Sequence, residues 1–417
     1  MGFKIIIIGG GIAGLAAAIA LRQANREITI LEQSSVAQEI GATISLQPNA
    51  SKIVEGQWGL AAELKERGSM VDEAFEVYNL DGEMQMRISL MTKDRYGAER
   101  MMYHRADLHE ALKHRATSPA FPGLAAILRT SSRVASCDCE TGTIELASGE
   151  ILSADLIVGA DGIKSAIRRC VLGQEVNARP TGLSAYRMMI SVDDLEREAD
   201  FAKVISPRKG CTTMVIGRDR RLVMGPARNG TIYSIVALVP DENMNEVSAN
   251  TSWTAKGDHD KMMKTFANFP DWAQKPLQLA KGSGLGLWQL RDLDPLQTWY
   301  RGRAILIGDA AHAMLPTQGQ GASQAIEDAE ALGAFFEKFE ETTPLISVEA
   351  VTQVNEAVFK SRYDRATTIQ LYSREAAKPA TEPGDRKVKM NPAEFMDYNC
   401  SYSGARDWCK RQEVISV

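Results

Sequence analysis

The chain has 417 residues, a net charge of -5, 44% hydrophobic and 24% charged residues, and an isoelectric point near 5.7. This composition is typical of a globular protein with a large core, and it lacks the basic block that a nucleic-acid groove or a membrane-surface patch requires. No apolar run approaches the roughly 20 residues of a membrane helix, and the N-terminus resembles no secretory signal. We therefore expect a cytoplasmic monomer or homodimer with small-molecule partners, no nucleic acid and no integral membrane segment.

The first elements form a βαβ unit. Residues 4–8 are a β-branched run that predicts a strand buried on both faces, and Ile12 to Gln23 is rich in Ala and Leu, which predicts a closely packed helix. Glu27 to Glu32 then predicts a second strand. Together these elements have the length of a nucleotide-binding unit.

The next stretch contains a hairpin, a helix and further strands. Val77 to Ile88 predicts a hairpin through Asp81-Gly82, a pair that tolerates a positive φ. Arg105 to Arg115 predicts a helix, and Ala125 to Leu152 predicts short strands. The buried strand from Ala154 to Ala160 leads into Asp161-Gly162, where we expect the nucleotide-binding domain to resume.

The character of the sequence changes between about residues 180 and 290. Four alternating segments predict antiparallel strands, at Leu183 to Val192, Thr212 to Ile216, Arg221 to Gly225 and Thr231 to Val239. An apolar strand follows at Arg303 to Gly308, then a Gly-rich loop and a helix from about Gly321 to Phe339. The remainder is polar and mostly helical, with a break at Pro379 to Lys389.

The first motif places three glycines between a strand and a helix. Gly9, Gly11 and Gly14 form GxGxxG, which lets the backbone approach a pyrophosphate at a helix N-terminus. Glu32 ends the second strand at the expected distance of about 20 residues, where a carboxylate accepts hydrogen bonds from ribose hydroxyls. This combination predicts dinucleotide binding and leaves NAD and FAD open.

The second motif favours FAD. Gly308-Asp309 follows a buried strand, so Asp309 lies at a carboxyl edge and is placed to hydrogen-bond a polyol such as the ribityl chain. The loop from Pro316 through Gly319 to Gly321 feeds the N-terminus of a long helix, whose dipole would stabilise negative charge on a reduced flavin. His312 lies within the Asp309 segment, where it either takes part in catalysis or orders the loop.

Histidine and cysteine spacing argues against a metal site. The chain has 6 cysteines without CxxC spacing, and Cys137 and Cys139 alternate on one strand face as buried filler. His104, His109 and His114 recur every fifth residue, which spreads them around a helix at about 140° intervals. We therefore predict no metal.

Four motifs in this order resemble the single-component FAD-dependent aromatic hydroxylases, in the salicylate-hydroxylase-like branch. They are Gly9 to Gly14, Arg105-Ala-Asp-Leu-His109, Gly159-Ala-Asp-Gly-Ile-Lys-Ser165 and Gly308-Asp-Ala-Ala-His-Ala-Met-Leu-Pro-Thr-Gln-Gly-Gln-Gly321. The resemblance spans about residues 3 to 375. It implies an α/β fold with a glutathione-reductase-like FAD domain, an inserted antiparallel sheet domain of the p-hydroxybenzoate-hydroxylase type, and C-terminal helices.

The resemblance also implies site residues. Asp161 helps to bind FAD and couples it to NADPH or NADH, Arg105 contacts the cofactor, and Asp309 holds the ribityl chain. A surface arginine paired with Asp107 or Glu110 is the alternative for Arg105. The implied reaction reduces FAD with NAD(P)H, adds O2 to give a C4a-hydroperoxyflavin, and transfers one oxygen to an electron-rich aromatic or unsaturated small molecule.

The substrate side is less well defined. Arg187 begins the second domain, where it would bind a carboxylate or phenolate, with a surface ion pair as the alternative. Pro316 is expected to border the flavin through its backbone. Gly225 stands before Pro226 where salicylate-hydroxylase relatives often carry Tyr, which argues against salicylate itself and for a larger or differently shaped substrate. Catabolic phenols and natural-product intermediates, including polycyclic aromatics, both remain open.

The predicted division of the chain is discontinuous. The FAD domain takes residues 1–75, 101–180 and 295–345, the substrate sheet takes 76–100 and 181–294, and the C-terminal helical segment takes 346–417. Two other functions share this scaffold: a flavin-dependent reductase of the geranylgeranyl-reductase type and a non-catalytic carrier. The segment from His312 to Pro316 favours the hydroxylase over the reductase, and the presence of both the Asp161 and Asp309 motifs favours it over the carrier.

Overall fold

A computed structural model describes residues 2–35, 42–241, 254–282, 285–342, 346–377 and 387–415. The strands in these residues are β1 (Phe3–Ile8), β2 (Arg26–Leu31), β3 (Thr43–Leu46), β4 (Met70–Val71), β5 (Ala74–Tyr78), β6 (Met84–Ser89), β7 (Met101–His104), β8 (Ile127–Arg129), β9 (Val134–Asp138), β10 (Thr143–Leu146), β11 (Ile151–Ser153), β12 (Leu156–Gly159), β13 (Arg179–Ser191), β14 (Cys211–Ile216), β15 (Arg221–Ala227), β16 (Ile232–Pro240), β17 (Thr254–Lys256), β18 (Gly286–Asp292), β19 (Tyr300–Arg301) and β20 (Ala304–Leu306).

The helices alternate with these strands and dominate the C-terminal part. They are α1 (Ile12–Leu21), α2 (Pro48–Ser51), α3 (Ala61–Glu66), α4 (Lys93–Tyr96), α5 (Arg105–Thr117), α6 (Ala166–Leu172), α7 (Val192–Glu196), α8 (Ala199–Ala202), α9 (His259–Thr265), α10 (Asp271–Leu279), α11 (Asp309–His312), α12 (Gly321–Phe336), α13 (Phe339–Thr342), α14 (Val348–Ala376), α15 (Pro392–Cys400) and α16 (Ala405–Ile415). A π-helical turn covers Lys52–Gln57 and a 3-10 turn covers Pro316–Gln318. Among the described residues, no helix has both the length and the apolarity to cross a membrane.

The first sheet brings the two nucleotide-binding motifs together. Its strand order is β19-β20-β12-β1-β2-β8, and all neighbours from β20 to β8 are parallel. Parallel strands point their carboxyl ends to the same edge, so the loops after β1, β12 and β20 meet there. The helix α1 packs between this sheet and α12, because its Ala and Leu side chains allow close approach.

The second large sheet has eight strands in the order β17-β18-β13-β16-β15-β14-β5-β6. The predicted hairpin is confirmed as β5 and β6, which pair antiparallel. The sheet is antiparallel except for one pair, since β5 runs parallel to β14. That pair departs from the wholly antiparallel expectation because β5 and β14 are joined by a long crossover rather than by a hairpin.

One face of this sheet is covered by helices that the sequence analysis did not predict. Tyr186 and Met188 of β13 pack there with Phe201, Phe266 and Trp272 from the segments around α7 to α10. Strand side chains alternate between faces. The other face of β13 therefore carries Ala185 and Arg187, and Ala185 packs in a small cluster with Leu315, which precedes Pro316.

Two smaller sheets complete the described structure. One has the order β11-β10-β9 and the other β3-β7-β4. The prediction that Cys137 and Cys139 share a face is confirmed, since the Sγ of Cys137 in β9 lies 3.9 Å from the Sγ of Cys139 in the turn that follows β9. Most of the predicted break at Pro379 to Lys389 lies outside the described residues.

Candidate active site

The glycine loop after β1 approaches two backbone segments very closely. A methyl group on Gly9, which has φ +109°, would lie 2.3 Å from the carbonyl oxygen of Ala160. A methyl group on Gly14 would lie 2.0 Å from the carbonyl oxygen of Gly9. A methyl group on Gly11, by contrast, would meet nothing within 4 Å. Gly9 and Gly14 are therefore required for packing, while Gly11 keeps the loop surface open.

The open surface lies at the N-terminus of α1. Gly11 is the N-cap residue of this helix and supplies no side-chain hydrogen bond to the first-turn N-H groups. Such groups, together with the helix dipole, form an anion site. His109 of α5 supports the loop from below, because its Nε2 lies 2.7 Å from the carbonyl oxygen of Gly10 and therefore carries the donated proton.

Glu32 lies directly beside the glycine loop. Its two carboxylate oxygens accept hydrogen bonds from the backbone N-H groups of Gly10 and Ser34, each at 2.8 Å. Each carboxylate oxygen has a second lone pair, so both keep acceptor capacity for ribose hydroxyls. The contact with Gly10 fixes the carboxylate next to the open helix terminus.

A buried arginine connects the Asp161 and Asp309 motifs. Arg168 on α6 donates to the carbonyl oxygens of Ile163 at 2.7 Å and Ala310 at 3.1 Å. Burial lowers the pKa of Arg168, and the nearby carboxylates of Asp161 and Asp309 oppose that effect. The Arg168 guanidinium thus holds together the Asp161 loop and the Asp309 turn, which the sequence predicts to bind the same cofactor.

Asp161 has one committed oxygen and one without a partner. Its Oδ2 caps α6 by accepting from the backbone N-H groups of Ala166 at 2.7 Å and Ile167 at 3.2 Å. Its buried Oδ1 has no hydrogen-bond partner among the described residues. Burial raises the pKa of Asp161 against the opposite effect of its hydrogen bonds. Buried polar atoms are rarely left unpaired, and Oδ1 is thus available to accept a hydrogen bond from a bound ligand.

His312 and Asp328 form a buried pair behind the Asp309 turn. The Nε2 of His312 lies 2.6 Å from Oδ2 of Asp328, and the same oxygen accepts from the Gly308 N-H at 2.9 Å. The other oxygen of Asp328 accepts from Arg362 at 3.0 Å. His312 is 2% exposed, a position that favours the loop-ordering alternative over catalysis. Asp309 itself is exposed at the start of α11.

The loop from Pro316 to Gly321 is held at three points and open at its end. Gln47 donates to the Gln318 carbonyl at 2.8 Å, Thr317 donates to the Ser373 carbonyl at 2.6 Å, and Asn49 lies 3.2 Å from the Gln320 side-chain oxygen. Gly319 adopts φ +61°, which ends the 3-10 turn. No side chain caps the N-terminus of α12, which begins at Gly321, so its N-H groups face the loop surface where Pro316 is exposed.

Arg105 and Arg187 bring positive charge from the two sides of the site. Asp107 pairs with Arg228 at 2.7 Å and Glu110 pairs with Lys113 at 2.5 Å, so both carboxylates proposed as surface partners of Arg105 bind elsewhere. Burial lowers the pKa of Arg187, and the positive charge of Arg105 lowers it further.

No counter-charge lies beside Arg187 among the residues that the structure describes. Its guanidinium lies 5.2 Å from the centre of the Trp288 ring, and its buried Nε has no hydrogen-bond partner in the part of the chain that the structure describes. No described carboxylate forms an ion pair with it. The surface ion pair that the sequence analysis left open is therefore absent from the described residues.

Gly225 on β15 stands before Pro226, where salicylate-hydroxylase relatives often carry Tyr. A methyl group there would lie 2.8 Å from Cε of Met102 on β7. The space next to Pro226 is thus occupied by a methionine from the opposite side of the site, and a tyrosine would require Met102 to move. This exchange changes the shape of the site on the side of β15.

Comparisons with known proteins decide the family. A family model described as FAD binding domain matches residues 3–342. The chain belongs to this family of FAD-dependent monooxygenases. It is 33% identical over 372 residues to hispidin-3-hydroxylase of Neonothopanus nambi, covering 86% of this chain and 85% of that protein. It is also 33% identical over 341 residues to salicylate hydroxylase of Pseudomonas putida, covering 79% of this chain and 76% of that protein.

A solved structure supports the same assignment for the monooxygenase. A salicylate hydroxylase substrate complex matches with a TM-score of 0.76 at 27% identity, covering 98% of this chain and 97% of that one. The predicted fold class is thereby confirmed, as is the predicted resemblance to aromatic hydroxylases. The matches favour the monooxygenase over the reductase and carrier alternatives.

The residues of the monooxygenase fit FAD. The uncapped α1 terminus suits the pyrophosphate, the unpaired Oδ1 of Asp161 offers a buried acceptor, and the uncapped α12 terminus suits a negatively charged flavin edge. Within the described ranges, no group of His, Cys, Asp or Glu side chains is arranged to hold a metal ion.

Sequence reasoning gave no role to four residues that shape the site. His109 was recognised only as a poor metal ligand, and Arg168, Asp328 and Trp288 were not singled out. Arg168 carried a usable signal, because it follows the capping Ser165 on the helix that starts after Asp161-Gly162. Trp288 carried none, since its position beside Arg187 depends on the pairing of β13 with β18.

Proposed function

We propose that the monooxygenase oxygenates an electron-rich aromatic anion, and that Arg187 binds the anionic group. The observation that carries this proposal is the half-buried guanidinium of Arg187, whose buried Nε has no hydrogen-bond partner and which has no carboxylate partner among the described residues, close to Arg105. A phenolate or an aromatic carboxylate supplies the missing negative charge. Holding a phenol ionised also enriches its ring for electrophilic attack.

Removing a charge from water costs free energy. A charged group that is partly removed from water is destabilising unless it is paired. The Trp288 ring offsets part of this cost through a cation-π contact. The remaining imbalance favours binding of an anion, and a flat aromatic anion can stack beside the indole as well.

The cofactor is assigned to the residues around the edge of the parallel sheet. Gly9, Gly11 and Gly14 with Glu32 hold the dinucleotide part, while the flavin part is held by Arg105, Asp161, Asp309, Gly319 and Gly321. Bound FAD would supply the redox chemistry: it would take two electrons from NADH or NADPH and activate O2, one atom of which would enter the substrate while the other left as water. Pro316 borders the flavin through its backbone.

The protein itself positions the reactants and excludes water. His312 and Asp328 hold the Gly308-Asp309 turn through the Gly308 N-H, so we assign His312 a positioning role. The Arg187 face of the eight-stranded sheet covers the site, and its Ala185 packs with Leu315. Exclusion of water strengthens the attraction between Arg187 and an anion.

The relatives support an aromatic substrate. Hispidin-3-hydroxylase and salicylate hydroxylase are named for hydroxylation of aromatic compounds. This chain has Gly225 where relatives often carry Tyr, and Met102 fills the space. This difference favours a substrate of different shape from salicylate, such as a larger or polycyclic aromatic. We further propose the discontinuous division of the chain into an FAD domain, a substrate sheet and a C-terminal helical segment.

The test compares anionic and neutral probes in Arg187 variants. Purified holoenzyme is mixed anaerobically with NADH or NADPH, and flavin reduction is followed with aromatic acids and with their neutral amides. Arg187→Ala should keep FAD but raise the half-saturating concentration of the acids by about 10- to 100-fold, because hydrogen bonds to charged groups contribute about 1.5 to 3 kcal/mol. Arg187→Lys should restore part of the effect.

The matched control is Arg208→Ala, which removes an exposed arginine that pairs with Glu196. It should behave as wild type. The proposal would be contradicted if Arg187→Ala raised the half-saturating concentrations of acids and amides by the same factor, or changed neither.

A further inference from the structure

The face of the eight-stranded sheet that carries Arg187 also carries an unbroken row of apolar side chains. Residues paired directly across strands point to the same face of a sheet. The successive pairs are Arg187 with Val236, Val236 with Val223, Val223 with Met214, Met214 with Val77, and Val77 with Met86. We call the five apolar members, from Val236 to Met86, the apolar row.

The apolar row lies on the cofactor side of the sheet. Val236 packs with Ala185 and Leu315, the residue before Pro316. The sequence neighbours of the row point the opposite way into the core beneath α7 to α10, as Leu222 and Val215 show. The row is therefore not part of that core.

Burial is uneven along the row. Arg187, Val236, Val223 and Met214 are half-buried, Val77 is buried, and the row ends at Met86, which is 47% exposed on the edge strand β6. Neither Val223 nor Met214 belongs to a packed hydrophobic cluster of the described residues. Half-buried apolar side chains outside any core are typical of the lining of a cleft.

The length and chemistry of the row indicate its occupant. Five steps between strands of about 4.8 Å give a path of about 24 Å from Arg187 to Met86, longer than a single aromatic ring. Apart from the arginine at its inner end, it offers no charged or polar side chain. Methionine side chains are unbranched and adapt to flexible apolar ligands.

We infer that the apolar row binds an alkyl, prenyl or other apolar extension of the substrate, whose anionic aromatic head is held by Arg187. This inference rests on the proposed function, because it uses the same Arg187 site as its starting point. It defines the substrate class as an amphiphilic aromatic anion. The extension leaves the site along the sheet towards β6.

The test uses salicylate, 6-pentylsalicylate and 6-undecylsalicylate as probes, and measures their dissociation constants from the change in the visible spectrum of the bound flavin. The affinity should rise by about twofold per methylene as the chain extends along the row, because a half-buried surface removes about half of each methylene from water. Met214→Gln and Met86→Glu should each lower the ratio of undecyl to salicylate affinity, by at least fivefold for the former. Ile151→Glu, at a residue that is 70% exposed on another sheet, should leave the ratio unchanged.

Three results would overturn the inference. The first is equal affinity for the three probes. The second is a ratio of undecyl to salicylate affinity that is the same in Met214→Gln as in wild type. The third is sedimentation showing that Met86→Glu converts a dimer to a monomer and has no other effect. Failure of the proposed function looks different. In that case salicylate and salicylamide bind equally well, whatever the effect of chain length.

Discussion

The buried carboxylate of Asp328 allows a prediction about stability and pH. Burial alone would raise the pKa of Asp328, but the electrostatic effects of His312 and Arg362 and the hydrogen bonds from His312 and Gly308 outweigh it and lower the pKa from 3.8 to about 2. Asp328→Asn removes the charge while keeping the shape of the side chain. It leaves Arg362 with Glu327 as its remaining carboxylate partner.

The magnitude follows from the two pKa values. At about 1.4 kcal/mol per pKa unit, the lowered pKa corresponds to about 2.5 kcal/mol of folding stability. A carboxylate with a depressed pKa contributes fully above its unfolded value, and the contribution is lost as the pH falls through its folded value. The contribution of Asp328 is therefore complete at pH 7, falls to about half near pH 3, and vanishes below about pH 2.

The assay is urea unfolding of wild type and Asp328→Asn at several pH values, followed by circular dichroism and by the fluorescence of released flavin. We expect the variant to be about 2 to 3 kcal/mol less stable at pH 7 and the difference to shrink by about half at pH 3. Asp364→Asn, at an exposed residue of the same helix as Arg362, is the matched control and should change little. A difference that stays constant from pH 7 to pH 3 would refute the reasoning.

Two further predictions concern the cofactor loops and the shape of the site. Glu32→Ala and Asp309→Ala should each weaken FAD binding by at least tenfold in titrations of the apoprotein, because each removes a carboxylate assigned to cofactor hydroxyls; full flavin occupancy in both purified variants would count against the assignment. Gly225→Ala should lower thermal stability only slightly, since its new methyl group would lie 2.8 Å from Cε of Met102, the flexible end of that side chain, whereas Gly225→Tyr should lower it by more because Met102 would have to leave its place. Equal melting temperatures of Gly225→Ala and Gly225→Tyr would show that residue 225 and Met102 do not compete for space.

The nucleotide-binding parts of the fold were predictable because their signals are local. The strand-glycine-helix order of β1 and α1, the helix that starts at Arg105, and the long helix from Gly321 each follow from a short pattern, and the structure has all of them. The loops after β1, β12 and β20 were expected together because parallel strands end at one edge.

Pairings between distant segments were not predictable in the same way. The parallel pairing of β5 with β14 and the small sheet of β3, β7 and β4 depend on contacts that leave no periodic signal in either segment. The same holds for buried charges. Arg362 looks like a surface residue of a polar helix, and only the packing of α14 on α12 brings it to Glu327 and Asp328.

The position of Arg187 on the strand was predicted, but its environment was not. The sequence left an ion pair and a ligand site as alternatives, and the choice depends on which side chains the folded sheet brings near. Trp288 comes from β18 and the charge of Arg105 comes from the start of α5. Neither neighbour is close to Arg187 in the chain, so the sequence alone could not identify them.

The most direct test of the account is turnover of the purified holoenzyme in 18O2 with NADH or NADPH and a panel of phenols, aromatic acids and polycyclic aromatics, with products analysed by mass spectrometry. We predict that at least one aromatic anion accelerates flavin reduction and gains one 18O atom, and that its neutral analogue does so poorly. A flavin that is reduced and reoxidised while every compound remains free of 18O would contradict the assignment as a monooxygenase of aromatic anions.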